Sequence, residues 1–165
     1  MSKPGIEVEI PNVRRLIIHR LVTDFTGTLS LGGQLSPGVE DRLRRLNQIL
    51  DITVISADSF GTAVGQLASI PISPIILSPG LRHDREKEKY VKDNNPSQIA
   101  AFGNGNNDAL MLKAVKEAGG LAVAVDNGEG CSVEALRNAN IFIVGIVNAL
   151  DLMLEPTRLR ATLRK

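Results

Sequence analysis

The chain has one cysteine, Cys131, among its 165 residues. An internal disulfide is therefore excluded, which fits a reducing compartment. An excess of one charge is also missing. The 19 Lys and Arg balance 18 Asp and Glu to a formal net charge of +1, so no nucleic acid and no membrane surface is expected as a partner. No apolar run approaches the roughly 20 residues of a membrane helix. The opening stretch MSKPGIEVEI alternates charged and apolar residues where a signal peptide would carry an apolar core. A soluble, cytoplasmic protein is the expectation. Repeats, low-complexity tracts and linkers are lacking too, so residues 1–165 are expected to form a single domain.

The sequence does have a hydrophobic fraction of 43% against 22% charged, enough for a buried core. Strand-like and helix-like segments alternate along it. IEVEI (6–10) reads as a half-exposed strand, and Pro11-Asn12 as a turn leading to a longer strand, RRLIIHRLVTDF, that ends at Asp24. The two are expected to pair as a hairpin. Ser36 as N-cap and Pro37 at the first helical position open an amphipathic helix over 37–50, with Val39, Leu43, Leu46 and Leu50 at helical spacing.

ITVISAD (52–58) is apolar and β-branched, as a parallel strand buried on both faces is. A helix over SFGTAVGQLAS, a strand over 72–78 and a charged helix over HDREKEKYVKDN follow, with Tyr90 and Val91 on the inner face of the last. QIAAFGNG, LAVAVD and IFIVG read as strands. NDALMLKAVKEAGG, CSVEALRNA and IVNALDLML read as helices, and a short last helix starts at Pro156. This alternation predicts a doubly wound, mostly parallel sheet with helices on both faces. Ligands bind such sheets beyond the carboxyl ends of the strands. The residues at those ends are Asp24–Thr28, Ser56–Asp58 and Gly103–Asp108.

DFTGT (24–28) resembles the DKTGT phosphorylation motif of P-type ATPases and, more broadly, the first motif of the haloacid dehalogenase-like (HAD) superfamily. GNGNND (103–108), followed by the helix ALML, resembles the GDGxND motif that closes the same site. TVISAD is similar to the second motif at Ser56, and KEKYV to the stretch around the third-motif lysine, at Lys87. The four occur in the family's order, and the resemblance spans about residues 16 to 145. It implies a Rossmann-like, three-layer α/β/α sandwich. It also implies a Mg²⁺-dependent phosphohydrolase acting through an aspartyl-phosphate on Asp24.

The chemistry suits those residue types. Phosphorus is shielded by negative oxygens, so a carboxylate nucleophile such as Asp24 needs cations to offset the repulsion. Mg²⁺ favours oxygen ligands; the resemblance implies Asp24, the Thr26 carbonyl, Asn104 and Asp108. Gly27 allows a sharp turn that aims amides near Phe25, Thr26 and Gly27 at phosphate oxygens, and Thr28 is expected to hydrogen-bond within it. Ser56 offers a hydroxyl and Lys87 a positive charge. Plainer roles compete. Lys89 is an alternative to Lys87, Ser56 is also an ordinary turn residue, and Asp58 also caps the helix after it. His19 and His83 are expected to be structural. Cys131 heads a helix, where a thiolate is favoured, but alone it is expected to be incidental.

Two positions depart from the family pattern. Most phosphatases of the superfamily carry a second Asp two residues after the nucleophile, as acid and base. Here that place holds Thr26, which cannot do this work, so slow breakdown of the phospho-enzyme is expected. Asn104 stands where the pattern has a metal-binding Asp, which should weaken Mg²⁺ binding and raise the importance of Asp108 as ligand or neighbour. A non-catalytic or very slow phosphate-binding regulatory module is therefore the alternative. Only about thirty residues separate Asp24 from Ser56, too few for a cap domain. The substrate is expected to be phosphorylated but is otherwise unspecified. A homo-oligomer is an arrangement that the resemblance allows, since capless members accept large substrates or close their sites with a neighbouring subunit.

Overall fold

The computed structural model describes residues 2–165. Strand β1 (Ile6–Ile10) pairs antiparallel with β2 (Arg14–Ile18), Val8 opposite Leu16, as the alternation in IEVEI predicts. The expected long strand is broken at His19. After the break β3 (Arg20–Thr23) enters a different sheet and runs up to Asp24. His19 bridges the junction through its backbone: its N–H donates to the Gln98 carbonyl and its carbonyl accepts from Asp51. A two-residue-strand hairpin follows, β4 (Ser30–Leu31) and β5 (Gln34–Leu35).

Helix α1 (Val39–Leu46) is shorter than the expected 37–50. Gly38, at φ +86°, holds a left-handed turn that Pro37 cannot adopt, which delays the start. Beyond Leu46 the chain closes in tighter turns, such as Ile49 N–H to Leu46 C=O. Strand β6 (Asp51–Ser56) leads into α2 (Ala63–Gln66), only one turn of the helix expected over SFGTAVGQLAS. Gly61 and Gly65 disfavour helix there, and the chain continues in three-residue turns. Of the strand expected over 72–78, only β7 (Ile75–Ile76) pairs. Pro71, Pro74 and Pro79 each lack an amide donor, which confines this segment to a short edge.

The later elements match their expected segments closely. They are α3 (His83–Asp93), β8 (Ile99–Gly103), α4 (Ala109–Glu117), β9 (Leu121–Asp126), α5 (Val133–Arg137), β10 (Ile141–Val144), α6 (Ile146–Leu154) and α7 (Pro156–Leu163).

The main sheet has the order β10-β9-β8-β3-β6-β7, and every neighbouring pair is parallel. From β3 the chain winds outward through β6 and β7. It then returns to lay β8 on the other side of β3 and winds away again. The order thus reverses between β3 and β8, where a crevice opens at the strands' carboxyl ends. Alternate strand residues feed two cores. Leu21, Phe102 and Val123 pack with Leu43, Leu150 and Met153 of α1 and α6. Val22, Ala101 and Ala122 pack with Val91, Met111 and Val115 of α3 and α4. The result is a three-layer α/β/α sandwich without a cap domain between the strands that carry the site. Among the described residues no helix is long and apolar enough to cross a membrane.

Phe102 is fully buried on β8, one residue before the site loop. Phe102→Ala should lower stability by about 3–5 kcal/mol, read as a drop in the urea midpoint. An unmoved midpoint would contradict this account of the core.

Candidate active site

Asp24 ends β3 at the centre of the sheet, and its N–H donates to the Phe102 carbonyl of β8 at 3.1 Å. The chain then turns tightly. The Phe25 carbonyl accepts from the N–H groups of Thr28, Leu29 and Ser30 and from the Ser30 hydroxyl. Gly27 has φ +73°, and a Cβ there would lie 2.5 Å from Asn104 Nδ2. Glycine is required at 27 both by the backbone and by the side chain opposite. Thr28 bonds within the turn as expected, through its backbone N–H to the Phe25 carbonyl. Its hydroxyl donates to Asn104 Oδ1 at 3.1 Å and so ties the loop after β3 to the loop after β8. Asn104 Nδ2 in turn donates to the Gly130 carbonyl.

Lys87, on α3, is completely buried between two carboxylates. Its Nζ donates to Asp24 Oδ1 at 3.1 Å and to Asp108 Oδ1 at 2.8 Å. The other Asp108 oxygen accepts from the N–H groups of Asn104 and Gly105, both at 3.0 Å. Gly103 permits this closeness, since a Cβ there would sit 2.5 Å from Asp108 Cβ. The trio carries one positive charge against two negative ones. Burial first, and then the Asp108 charge, push the Asp24 pKa up to about 7, with Lys87 and the Phe25 amide pulling it back. Burial alone would lower the Lys87 pKa, but the two carboxylates outweigh it and raise it.

Above this trio lies a hollow of about 190 Å³, lined by Asp24, Thr26, Ser56, Ser59, Asn104 and Asn107 among others. The Thr26 hydroxyl is buried without a hydrogen-bond partner. Ser56 ends β6, and its Oγ accepts from the Asp58 N–H at 2.9 Å. A hollow of about 230 Å³ between β7 and α3, walled by Ile55, Ile75, Leu77 and Tyr90, contains none of these groups.

No protein-family profile matches the chain. An uncharacterized protein of Methanocaldococcus jannaschii, MJ0073, is 39% identical over 77 residues, which are 47% of this chain and 78% of that protein. A protein of Vibrio cholerae described as a 3-deoxy-D-manno-octulosonate 8-phosphate phosphatase superposes with a TM-score of 0.63 at 18% identity, covering 96% of this chain and 98% of that one. The cobalt-bound deoxy-D-mannose-octulosonate 8-phosphate phosphatase of Haemophilus influenzae gives 0.60 at 14% identity, over 90% and 94%. A HAD superfamily (subfamily III A) hydrolase of Legionella pneumophila gives 0.63 at 17% identity, over 88% and 87%. The chain belongs to one family with the archaeal protein and has the HAD-like fold.

Within this HAD-like fold, Asp24, Lys87 and Asp108 are in direct contact, and Thr26, Ser56 and Asn104 line the hollow beside them. Lys89 is exposed and paired with Asp93 on its own helix, so Lys87 alone of the two reaches Asp24. Asp108, expected as ligand or neighbour, lies at Lys87. It is sealed beneath the hollow, with one oxygen on Lys87 and the other taken by two amides. Asp58 caps α2, its Oδ1 accepting from Thr62 and Ala63. His83 Nε2 contacts the Ser78 carbonyl. The expected thiolate preference of Cys131 does not hold, because burial and then the charges of Asp126 and Asp108 push its pKa up. Ser59 and Asn107 were not singled out in the sequence. Asn107 lies inside the GNGNND run, which could have marked it; Ser59 carries no such signal.

Lys87→Met leaves two buried carboxylates facing each other and should cost about 3–5 kcal/mol at neutral pH, whereas Lys89→Met should leave the urea midpoint unmoved. Asp24 also imposes a pH dependence. Its native pKa of about 7 lies above its ordinary value of 3.8, so between these values the native state holds the extra proton and stability falls as pH rises. Asp24→Asn removes this contribution. Its stability relative to the native sequence should be greater near pH 8 than near pH 4 by on the order of 2–4 kcal/mol. A constant difference across that range would count against the buried, lysine-linked carboxylate.

Proposed function

We propose that the chain is a phosphohydrolase in which Asp24 attacks phosphorus and carries the phosphoryl group as an aspartyl-phosphate. The observation that supports this most is the single buried lysine bonded at once to Asp24 and Asp108 beneath a small polar hollow. Lys87 holds Asp24 Oδ1 and so orients Oδ2 for attack. Asp108, fixed by two amides, holds Lys87 in turn. The Ser56 hydroxyl and the turn amides around Thr26 receive the phosphoryl oxygens. The phosphatases that share the fold support the reading, without identifying a substrate for this chain.

A hard cation suits the residues present. The buried trio is net negative and holds Asp24's proton more tightly than usual, so a positive countercharge is favoured beside it. Among the described residues, no group of three or more His, Cys, Asp and Glu could hold a metal. The available donors are instead oxygens: one carboxylate and two neutral groups. Asp24, the Thr26 carbonyl and the Asn104 amide oxygen would hold Mg²⁺, with Asp108 acting through Lys87. The ion would neutralise charge on the transferring phosphoryl group.

Hydrolysis of an aryl phosphate with Mg²⁺ tests the assignment. Asp24→Asn should lower turnover by at least about a thousandfold. Equal turnover in both proteins would remove Asp24 from the mechanism. One observation favours a second reading, a phosphate-binding regulatory module without turnover. Asn104 supplies no charge, and its amide is already engaged by Thr28 and Gly130. If this second reading holds, millimolar Mg²⁺ will not bind and beryllium fluoride will not be trapped; binding of both favours the enzyme.

A further inference from the structure

The groups around the hollow divide phosphate donors into two classes. Among the described residues lining it, Asp24 is the one titratable side chain. Thr26 stands two residues further along, with its buried hydroxyl unpartnered. The other ionisable groups nearby are committed elsewhere. Lys87 directs Nζ–H donors to Asp24 and Asp108 and does not line the hollow. Asp58 accepts the Thr62 and Ala63 amides. Asp126 accepts those of Gly128 and Gly130. His83 belongs to an adjoining hollow that shares Asn107, and its Nε2 is turned to the Ser78 carbonyl.

A leaving oxygen in this hollow thus meets hydroxyl and amide groups but no general acid. We propose that the site accepts phosphoryl donors whose leaving group departs as a stable anion, namely acyl phosphates and phosphoanhydrides, and excludes alkyl phosphate monoesters. The inference rests on the reading of Asp24 as nucleophile. In the first step a bond forms between Asp24 Oδ2 and phosphorus while the bond from phosphorus to the leaving oxygen breaks. The electron pair stays on that oxygen. A carboxylate or a phosphate carries it without a proton, whereas an alkoxide does not. In the second step water attacks phosphorus and the bond to Asp24 breaks. Asp24 regains its carboxylate, and the protons of the water pass to the phosphate product and the solvent.

The test uses the full chain with Mg²⁺ and a set of donors: acetyl phosphate, pyrophosphate, glycerol phosphate and a series of aryl phosphates of rising phenol pKa. General acid catalysis is typically worth about 10²–10⁴-fold. The native protein should therefore lose at least about a hundredfold in kcat/KM across the aryl series, hydrolyse acetyl phosphate and leave glycerol phosphate intact. Thr26→Asp puts an acid into the hollow and should flatten the series by about tenfold or more while admitting glycerol phosphate. A flat series in the native protein, with glycerol phosphate cleaved as readily as acetyl phosphate, would overturn the leaving-group restriction and leave the nucleophile assignment intact. No phosphate released from any donor, together with no phosphate on Asp24, would overturn both.

Discussion

The site depends on one buried ammonium group. Removing Lys87 from water is costly, and its attraction to Asp24 and Asp108 must offset that cost. The three residues lie on α3, at the end of β3 and after β8, one bonded pair 63 positions apart in the chain and the other 21. Contact among them requires β3 and β8 to be parallel neighbours where the sheet reverses its order, so that the loops carrying Asp24 and Asp108 leave side by side. Sheet topology and buried charge therefore constrain each other.

The net negative charge of the trio shapes the chemistry above it. Burial first, and then the uncompensated carboxylate, make Asp24 hold its proton more tightly, and the net negative charge favours a cation beside it. The surrounding groups are neutral: Thr26, Ser56, Asn104 and the turn amides. Asn104 reaches across to Thr28 and joins the two site loops where a carboxylate would instead add charge. The arrangement suits holding a phosphoryl group in place more than delivering a proton to what leaves.

The parts of this arrangement that the sequence revealed follow from local rules. Apolar runs broken by Asp24, Ser56 and Gly103 mark strand ends, and in a doubly wound sheet strand ends converge. The fold class and the hollow residues Asp24, Thr26, Ser56 and Asn104 were legible for that reason, whereas Ser59 was not. Lys87 and Lys89 were not separable by type, since both sit in one charged helix. The spacing from Lys87 to the buried Val91 is one helical turn, which puts Lys87 on the inner face. Asp108 facing Lys87 and not the hollow was beyond local reading, because it depends on two backbone amides supplied by the loop's own curl. The partner of the Thr28 hydroxyl lies 76 residues away and left no local trace. β7 and α2 shrank where prolines and glycines outweighed the apolar pattern.

The most direct measurement is borohydride reduction after loading the protein with acetyl phosphate and Mg²⁺, followed by peptide mass analysis. An acyl phosphate is reduced to an alcohol, so the account predicts that residue 24 alone is converted to homoserine. Conversion at another carboxylate, or at none while phosphate is being released, would contradict it.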